Sequence, residues 1–169
     1  MIKKYLTKNA KQTQKLGADL AKILFKKSVG KSIVIGLEGD LGSGKTTFLQ
    51  GFARGLGIKE KILSPTFVIM KRFSIKTNTP AFAKASAGRQ HLTPNTLYHI
   101  DCYRLEKPKE LIELGLKEII RNPKNIIAIE WADKVKKILP ENTIFIKFQF
   151  IDKNKRKIAF CPLVLKMIQ

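Results

Sequence analysis

The chain has 169 residues, a length that suits one packed domain better than two. Its hydrophobic fraction of 44% is that of a globular protein, no apolar run approaches the roughly 18 residues that cross a bilayer, and the first residues lack the apolar stretch of a secretory signal. The 33 Lys and Arg against 13 Asp and Glu give a formal net charge of +20, which either attracts a polyanion such as RNA or reflects a lysine-rich organism.

The first third of the chain predicts a helix, a strand and a second helix. Asn9 and Gln12 form a capping pattern, and apolar residues follow at helical spacing as far as Leu24. The run KSIVIGL (Lys31–Leu37) is short, apolar and β-branched, which predicts a buried strand. The run TTFLQGFARGL (Thr46–Leu56) has the period of a helix that begins inside a glycine-rich loop.

The remainder of the chain predicts further strands, one helix and a hairpin. The predicted strands are Thr66–Phe73, Thr96–Leu105 and Asn125–Glu130. A helix is expected to open at Pro108, because proline is favoured in a first turn. The runs TIFIKFQFI and KRKIAFCPLV predict a C-terminal antiparallel hairpin that turns at Asp152–Lys155. Since strands alternate with helices, the fold class is α/β with a mixed sheet.

One segment interrupts this pattern, from Ile75 to Asn95. It is rich in Ala, Thr, Lys and Pro and has little periodicity. We interpret residues 75–95 as a flexible loop insertion within a single domain that spans residues 1–169, because long surface loops cost little closure entropy. A lid over a functional site is the alternative.

The chain has two cysteines, Cys102 and Cys161, and neither belongs to a Cys-x-x-Cys pair. A metal site built from cysteines or a disulfide framework is therefore not expected. The pattern predicts reduced packing residues and a cytoplasmic protein.

The stretch GDLGSGKT, Gly39 to Thr46, matches the phosphate-binding pattern G-x-x-x-x-G-K-[ST]. Glycines let the backbone turn its N–H groups toward an anion, and the helix that follows adds the positive end of its dipole. In such a loop Lys45 reaches the β and γ phosphates, and the hydroxyl of Thr46 binds Mg²⁺. Because a predicted strand precedes the motif and a predicted helix follows it, the sequence predicts a P-loop NTPase-type three-layer fold, with helices on both sides of the sheet. The predicted nucleotide-binding residues of this loop are Asp40, Leu41, Gly42, Ser43, Gly44, Lys45, Thr46 and Thr47.

Three further residues are predicted to complete a catalytic site around Lys45. Glu130 ends the apolar run NIIAIE, where a metal-organising carboxylate is expected; a cap for the following WADKV segment is the alternative. Asp101 lies between apolar and aromatic residues, where an unpaired carboxylate is costly to bury, so we predict a catalytic role. Thr66, in SPTF, is predicted to be a switch threonine that senses Mg²⁺ and the γ-phosphate, with a plain turn as the alternative. His99 and Trp131 are interpreted as packing residues.

Several segments together resemble the TsaE family, also called YjeE, of small P-loop ATPases in bacterial tRNA threonylcarbamoyladenosine synthesis. The matching segments are TQKLGADLA, GDLGSGKTTFLQGFARGLG, SPTFVI, LYHIDCYRLE, ELGLKEII and IEW, in the family's order. They cover most of the chain apart from residues 75–95, and this insertion is the main departure from the family's pattern.

The resemblance implies an ATP hydrolase that uses Mg²⁺ and is slow without its partners. Those partners are the proteins TsaD and TsaB, with which the family places threonylcarbamoyl on the adenosine beside the anticodon of ANN-decoding tRNAs; tRNA would be met through that complex. The resemblance implies Thr46 and Glu130 as Mg²⁺ ligands and Asp101 as the residue that positions or activates water. It also implies that Arg156 contacts the nucleotide and that Lys8 helps to line the adenine pocket.

Other functions share the P-loop and remain open at this point. A small-molecule or nucleotide kinase usually needs an arginine-bearing lid, and residues 75–95 hold only Arg89. A GTPase is disfavoured because no [NT]-K-x-D motif for reading guanine is present. A basic RNA-binding module regulated by a nucleotide is the non-enzymatic alternative. No arginine finger is evident in the loop, and Arg104 is the nearest candidate, on the strand predicted to hold Asp101.

Overall fold

The computed structural model describes residues 3–27, 30–65, 68–76 and 93–161. Within these ranges the chain forms seven strands and four α-helices, with one 3₁₀ helix. The strands are β1 (Lys3–Thr7), β2 (Ile33–Glu38), β3 (Met70–Ser74), β4 (Thr96–Asp101), β5 (Asn125–Glu130), β6 (Ile144–Phe150) and β7 (Arg156–Phe160). The helices are α1 (Ala10–Lys27), α2 (Lys45–Gly55), α3 (Pro108–Glu113), α4 (Leu116–Arg121) and the 3₁₀ helix (Ala132–Ile138).

The strands form one mixed sheet in the order β1-β7-β6-β2-β5-β4-β3. The central pairs β6–β2, β2–β5 and β5–β4 are parallel, whereas β1–β7, β7–β6 and β3–β4 are antiparallel. The two central parallel strands, β2 and β5, are buried along their whole length, as expected for strands that helices cover on both faces. The predicted α/β fold with a mixed sheet and a C-terminal hairpin is confirmed.

Two apolar cores lie on opposite faces of the sheet. Successive side chains of a strand point to opposite faces, so Ile126 and Ala128 pack with α1 and α2, while Ile127 and Ile129 pack with α3, α4 and the 3₁₀ helix. These are the three layers that the sequence predicts. None of the helices in the described ranges is long and apolar enough to cross a bilayer.

Helices α1 and α2 pack at very short range, and this contact fixes the helix that follows the glycine-rich loop. A Cβ atom on Gly51 would lie 1.9 Å from the backbone oxygen of Gln14, and one on Gly17 would lie 2.3 Å from that of Phe48. Only glycine permits this approach of two backbones. The side-chain amides of Gln14 and Gln50 add a hydrogen bond of 3.1 Å across the same contact. The position of α2, and of the loop before it, is therefore set by the packing against α1.

Several element boundaries differ from the sequence predictions. Strand β4 ends at Asp101 rather than at Leu105, because the chain turns away from the sheet after this residue. The helix predicted from Pro108 is two short helices, since Gly115 has a φ of 85° between them. Strand β1 was not predicted, and it lies at the edge of the sheet, paired with β7.

The predicted strand Thr66–Phe73 is also shorter than expected. Ile69 has a φ of 61°, a conformation in which a strand cannot continue, and β3 begins only at Met70. Thr66 and Phe67 lie outside the described residues.

The two cysteines differ in burial. Cys102 and Cys161 are both free, and Cys102 is fully buried. Burial raises the pKa of the Cys102 thiol to about 12, and the neighbouring charge of Asp101 adds to this effect. Cys102 is therefore an unreactive packing residue, as predicted.

The ends of the predicted insertion belong to the packed domain. The side chain of Ile75 is buried in the core that contains α1 and α2, and its backbone N–H donates to the backbone oxygen of Asn95 at 2.8 Å. Residues 75–95 are the whole connection between β3 and β4, and the two ends of this connection are held against the domain. That the segment is a flexible insertion stays a prediction. Residues 77–92 lie outside the described residues.

This pairing predicts that residues 77–92 can be replaced by a short glycine-containing turn with little loss of stability. Because Ile75 and Asn95 already close the hairpin between β3 and β4, and because loop length enters only logarithmically, the free energy of unfolding should change by less than about 1 kcal/mol. Urea denaturation would measure the change. The control is Ile75→Ala in the full-length chain, which should cost about 2–5 kcal/mol because the side chain is buried. A shortened chain that loses cooperative unfolding would contradict the prediction.

Candidate active site

The functional side chains lie at the carboxyl ends of the central parallel strands, the edge where ligands bind in open α/β sheets. The alternation of β4 puts Leu97, His99 and Asp101 on one face, and the alternation of β5 puts Ala128 and Glu130 on the same face. Leu97 and Ala128 belong to the core under α1 and α2, so this face is the one that α2 covers. Asp101 and Glu130 are neighbours across the β4–β5 ladder. The two predicted carboxylates therefore lie side by side, next to the start of α2.

The glycine-rich loop connects β2 to α2 and has the backbone that the motif predicts. Gly39 and Gly44 have φ values of 137° and 99°, which other residues rarely adopt. Gly44 is also the N-cap of α2, where its backbone oxygen accepts the first helical hydrogen bond from Phe48 N–H at 2.9 Å. No side chain caps this helix end, so its first N–H groups remain available to an anion.

Lys45 is buried beneath the loop with its ammonium group inside the site. Its Nζ donates to the backbone oxygens of Gly39 at 2.5 Å and of Asp40 at 2.9 Å, and it lies 4.1 Å from the ring centroid of Trp131. Burial lowers the pKa of Lys45, and the carboxylates of Glu130 and Asp101 act in the opposite direction. A buried ammonium group favours the binding of an anion, because a phosphate would stabilise its charge in place of the water that burial has removed.

Thr46 and Glu130 are in direct contact. The hydroxyl of Thr46 lies 2.9 Å from each carboxylate oxygen of Glu130, which joins the first turn of α2 to the end of β5. The carboxylate is buried, with only 3% of the residue exposed. A hydroxyl and a carboxylate are the hard oxygen ligands that Mg²⁺ takes in P-loop proteins, where phosphate and water complete the shell.

Asp101 has different partners from Glu130. Its Oδ1 accepts from the backbone N–H of Tyr103 at 2.9 Å, and its Oδ2 accepts from the hydroxyl of Ser64. Neither partner is Thr46. The two neighbouring carboxylates thus contact different hydroxyl groups, Glu130 that of Thr46 at the start of α2 and Asp101 that of Ser64.

These groups face one cavity of ≈ 580 Å³, large enough for a nucleotide. The cavity is bounded by the glycine-rich loop, the start of α1, Ser64, the ends of β4 and β5, and the turn between β6 and β7. The described residues contain no group of three or more His, Cys, Asp and Glu side chains able to hold a metal by themselves. A Mg²⁺ ion that shares its ligands with phosphate and water needs no such group, so the residues present fit Mg²⁺ with a nucleotide.

Comparison with known families gives a match over almost the whole chain. The family model described as threonylcarbamoyl adenosine biosynthesis protein TsaE matches residues 7–158. The chain belongs to the TsaE family. The match includes the glycine-rich loop, both carboxylates, strand β6 and the start of β7, so the family resemblance is confirmed.

Individual relatives agree with the assignment to TsaE. The chain is 34% identical over 138 residues to the tRNA threonylcarbamoyladenosine biosynthesis protein TsaE of Haemophilus influenzae, covering 82% of this chain and 76% of the relative. It is 31% identical to the protein of that name in Treponema pallidum, covering 91% and 96%. The crystal structure of Bacillus subtilis YdiB superposes with a TM-score of 0.68 and 28% identity, over 99% of this chain and 95% of YdiB.

Some of the other residues predicted for the TsaE nucleotide site line the cavity, and some do not. Leu41 to Thr47 all line the cavity, as does Arg156, whose Nε donates to the backbone oxygen of Gly42 at 3.0 Å. Asp40 contributes its backbone oxygen to Lys45 rather than a side chain to the cavity wall. Lys8 is exposed and does not line the cavity, whereas Asn9, Ala10 and Thr13 do. Thr66, the predicted switch threonine, lies outside the described residues.

Three residues of this TsaE site were missed or interpreted only as packing. Trp131 has a φ of 58° and lies over Lys45, while its ring contacts that of Tyr103 at a centroid distance of 5.1 Å. His99 Nε2 lies 2.9 Å from Glu130 Oε1. Ser64 contacts Asp101. The period-two alternation of HID could have placed His99 on the face of Asp101, but a contact between Ser64 and Asp101, 37 positions apart, leaves no local signal.

Proposed function

We propose that this chain is a Mg²⁺-dependent ATPase that acts with TsaD and TsaB in threonylcarbamoylation of the adenosine beside the anticodon of tRNA. The observation that carries the proposal is the contact of Thr46 with both oxygens of Glu130, beside the buried cation of Lys45. The names of the relatives support the place of this activity in tRNA threonylcarbamoyladenosine synthesis. A protein with this role works where tRNA is modified, so the proposal places it in the cytoplasm.

The proposed hydrolysis assigns roles to Lys45, Arg156, Thr46, Glu130 and Asp101, which all line the cavity. Lys45 and the first N–H groups of α2 bind the β and γ phosphates of ATP. Arg156, which donates to the backbone oxygen of Gly42, contacts the nucleotide beside the glycine-rich loop. Thr46 and Glu130 would hold Mg²⁺, and the bound ion would supply positive charge to the phosphate oxygens. Asp101 orients a water molecule toward the γ phosphorus, where a bond to the water oxygen forms as the bond to the bridging oxygen of ADP breaks. The products are ADP and inorganic phosphate.

The separate partners of the two carboxylates predict separable defects. Glu130→Gln should raise the Mg²⁺ concentration needed for half-maximal hydrolysis, because it removes the charge beside Thr46. Asp101→Asn should keep binding of Mg²⁺ and ATP but lower the turnover rate by about 10²- to 10⁴-fold, the usual contribution of a positioned acid or base. Metal titrations of nucleotide binding and of turnover would measure the two effects.

The two variants serve as controls for each other, since both replace a buried carboxylate by its amide on adjacent strands. Thermal unfolding would establish that both are folded. If Asp101→Asn loses metal binding while Glu130→Gln keeps it, the roles of the two carboxylates are reversed.

The function itself is tested by reconstitution. Purified TsaD and TsaB with tRNA and the threonylcarbamoyl donor should give sustained modification only when this chain and ATP are present, as measured by nucleoside chromatography. A kinase would instead form ADP together with a phosphorylated acceptor. Full modification without this chain would overturn the proposal.

A further inference from the structure

The side chain of His99 is one of the most deeply buried polar groups of the site. Its residue is 1% exposed, and it lies on β4 two positions before Asp101. In the parallel ladder its neighbour on β5 is Ala128, two positions before Glu130. This register turns the imidazole ring along the sheet toward Glu130, and the small side chain of Ala128 leaves room for it.

The contact between His99 and Glu130 has a defined direction. The distance from His99 Nε2 to Glu130 Oε1 is 2.9 Å. A carboxylate oxygen accepts hydrogen bonds, so Nε2 carries the hydrogen and donates it. The other ring nitrogen, Nδ1, is buried and has no hydrogen-bond partner among the described residues. The ring therefore makes one hydrogen bond in the described structure, and that bond goes to the carboxylate beside Thr46.

A packing role does not account for this arrangement. An imidazole buried with one unpaired nitrogen is less favourable than an apolar side chain of similar size, because the unpaired nitrogen has lost its hydration. The free-energy cost of burying this ring is explained if the hydrogen bond from Nε2 has a function. In this geometry that function is to fix the position of one oxygen of Glu130.

We propose that His99 is a positioning residue that holds Glu130 Oε1 and so directs Oε2 toward the metal bound by Thr46. This inference rests on the proposed function, because it assigns a role relative to Mg²⁺. The hydroxyl of Thr46 lies 2.9 Å from both oxygens of Glu130, so it does not by itself distinguish them. His99 contacts Oε1 alone and makes the two oxygens inequivalent. Residues in this relation to a metal ligand typically contribute 10- to 100-fold to metal affinity.

The experiment compares His99→Gln with His99→Asn, a pair matched in chemistry and different in length. The amide nitrogen of Gln can occupy the place of Nε2 and donate to Glu130, whereas the shorter Asn cannot reach it. Mn²⁺ is the probe, titrated into protein saturated with a non-hydrolysable ATP analogue and followed by electron paramagnetic resonance. Binding of the same analogue in excess EDTA and thermal unfolding are measured in parallel.

We expect His99→Asn to weaken Mn²⁺ binding by about 10- to 100-fold, while His99→Gln stays close to the wild type. Binding of the analogue in EDTA should be equal in all three proteins. If His99 had a merely structural role, its replacement would weaken this metal-free binding as well. Normal Mn²⁺ binding in His99→Asn would overturn the inference, as would an equal loss in both variants or an equal loss in EDTA. If the wild type itself binds the analogue without any effect of Mn²⁺, the proposed function fails and this inference fails with it.

A measurement on the wild type does not depend on the folding of variants. Nitrogen-15 NMR of the imidazole rings should show His99 with its hydrogen on Nε2, and this signal should shift when Mg²⁺ is added to the protein bound to the analogue. A hydrogen on Nδ1 alone, or a signal indifferent to Mg²⁺, would also overturn the inference.

Discussion

Lys45→Ala should lower ATP hydrolysis by about 100-fold or more while the fold stays intact, since a preorganised charge of this kind typically contributes that much to a rate. The Lys45 ammonium is held by the backbone oxygens of Gly39 and Asp40, under the loop that would hold the phosphates. The ammonium group is therefore already in place when negative charge develops on the phosphates during hydrolysis. The alanine variant keeps the backbone of the loop and the N-terminus of α2, so part of the nucleotide affinity should remain. Steady-state phosphate release at saturating ATP would measure the loss.

The matched control is Lys59→Ala, which removes an exposed lysine from the segment that follows α2, away from the cavity. This control should hydrolyse ATP like the wild type, which separates the effect of Lys45 from that of net charge. Thermal unfolding should show that both variants are folded. Near-normal turnover in a folded Lys45→Ala protein would refute the assignment of Lys45 to the phosphates.

The arrangement around the glycine-rich loop could be predicted because local signals agree there. An apolar run, a pattern of glycines and a helical period follow one another from Lys31 to Leu56, and each requires the same strand, loop and helix. The alternation of HID and of AIE likewise places Asp101 and Glu130 on one face of the sheet. Such patterns depend on residues a few positions apart, so they can be read without the fold.

The features that escaped prediction depend on contacts between distant segments. Strand β1 has two exposed lysines among its five residues and forms because β7 offers an unpaired edge, some 150 positions later. Ile75 reads as the start of a polar loop, but its side chain completes the core beneath α1 and α2. The hydrogen bond of His99 was missed for the same reason, because its partner Glu130 is 31 positions away in the sequence.

Among the described residues, no arginine is placed to stabilise the charge that develops on the γ-phosphate during hydrolysis. Of the described residues that line the cavity, Arg156 is the one arginine, and its guanidinium already donates to the backbone oxygens of Gly42, Asp152 and Lys155. Arg104 was the internal candidate for an arginine finger on the strand of Asp101. It lies beyond the end of β4 and lines a second cavity, next to Lys107 and Lys134. We therefore expect the proposed site to bind the phosphates and the metal. We expect it to stabilise only part of the charge that develops on the γ-phosphate in the transition state.

We therefore expect slow hydrolysis by this chain alone and faster hydrolysis when TsaD and TsaB dock beside the cavity. An arginine supplied from outside raises hydrolysis in other P-loop enzymes by about 10³- to 10⁵-fold, and an effect toward the lower end of this range would already establish completion by a partner. Two exposed apolar side chains are Leu41, which lines the cavity, and Leu63, which precedes the cavity residue Ser64, and docking beside the cavity would be expected to bury them. Because Ser64 contacts Asp101, docking on this side would also act on the residue proposed to orient water.

The measurement is the rate of phosphate release at saturating ATP, for this chain alone and with TsaD and TsaB, at several salt concentrations. The formal charge of +20 should assist docking to a complex that carries tRNA, so the stimulation should weaken as salt screens this attraction. The control is Lys45→Ala mixed with the same partners, which should stay far slower than the wild type even where it docks, because it lacks the cation that meets the charge developing on the phosphates. Equal rates with and without the partners, at low salt, would exclude completion of the site by TsaD and TsaB. Since the Thr46–Glu130 contact and Lys45 would still be expected to bind Mg²⁺ and ATP, a kinase that passes the γ-phosphate to a small-molecule acceptor would then return as an alternative function.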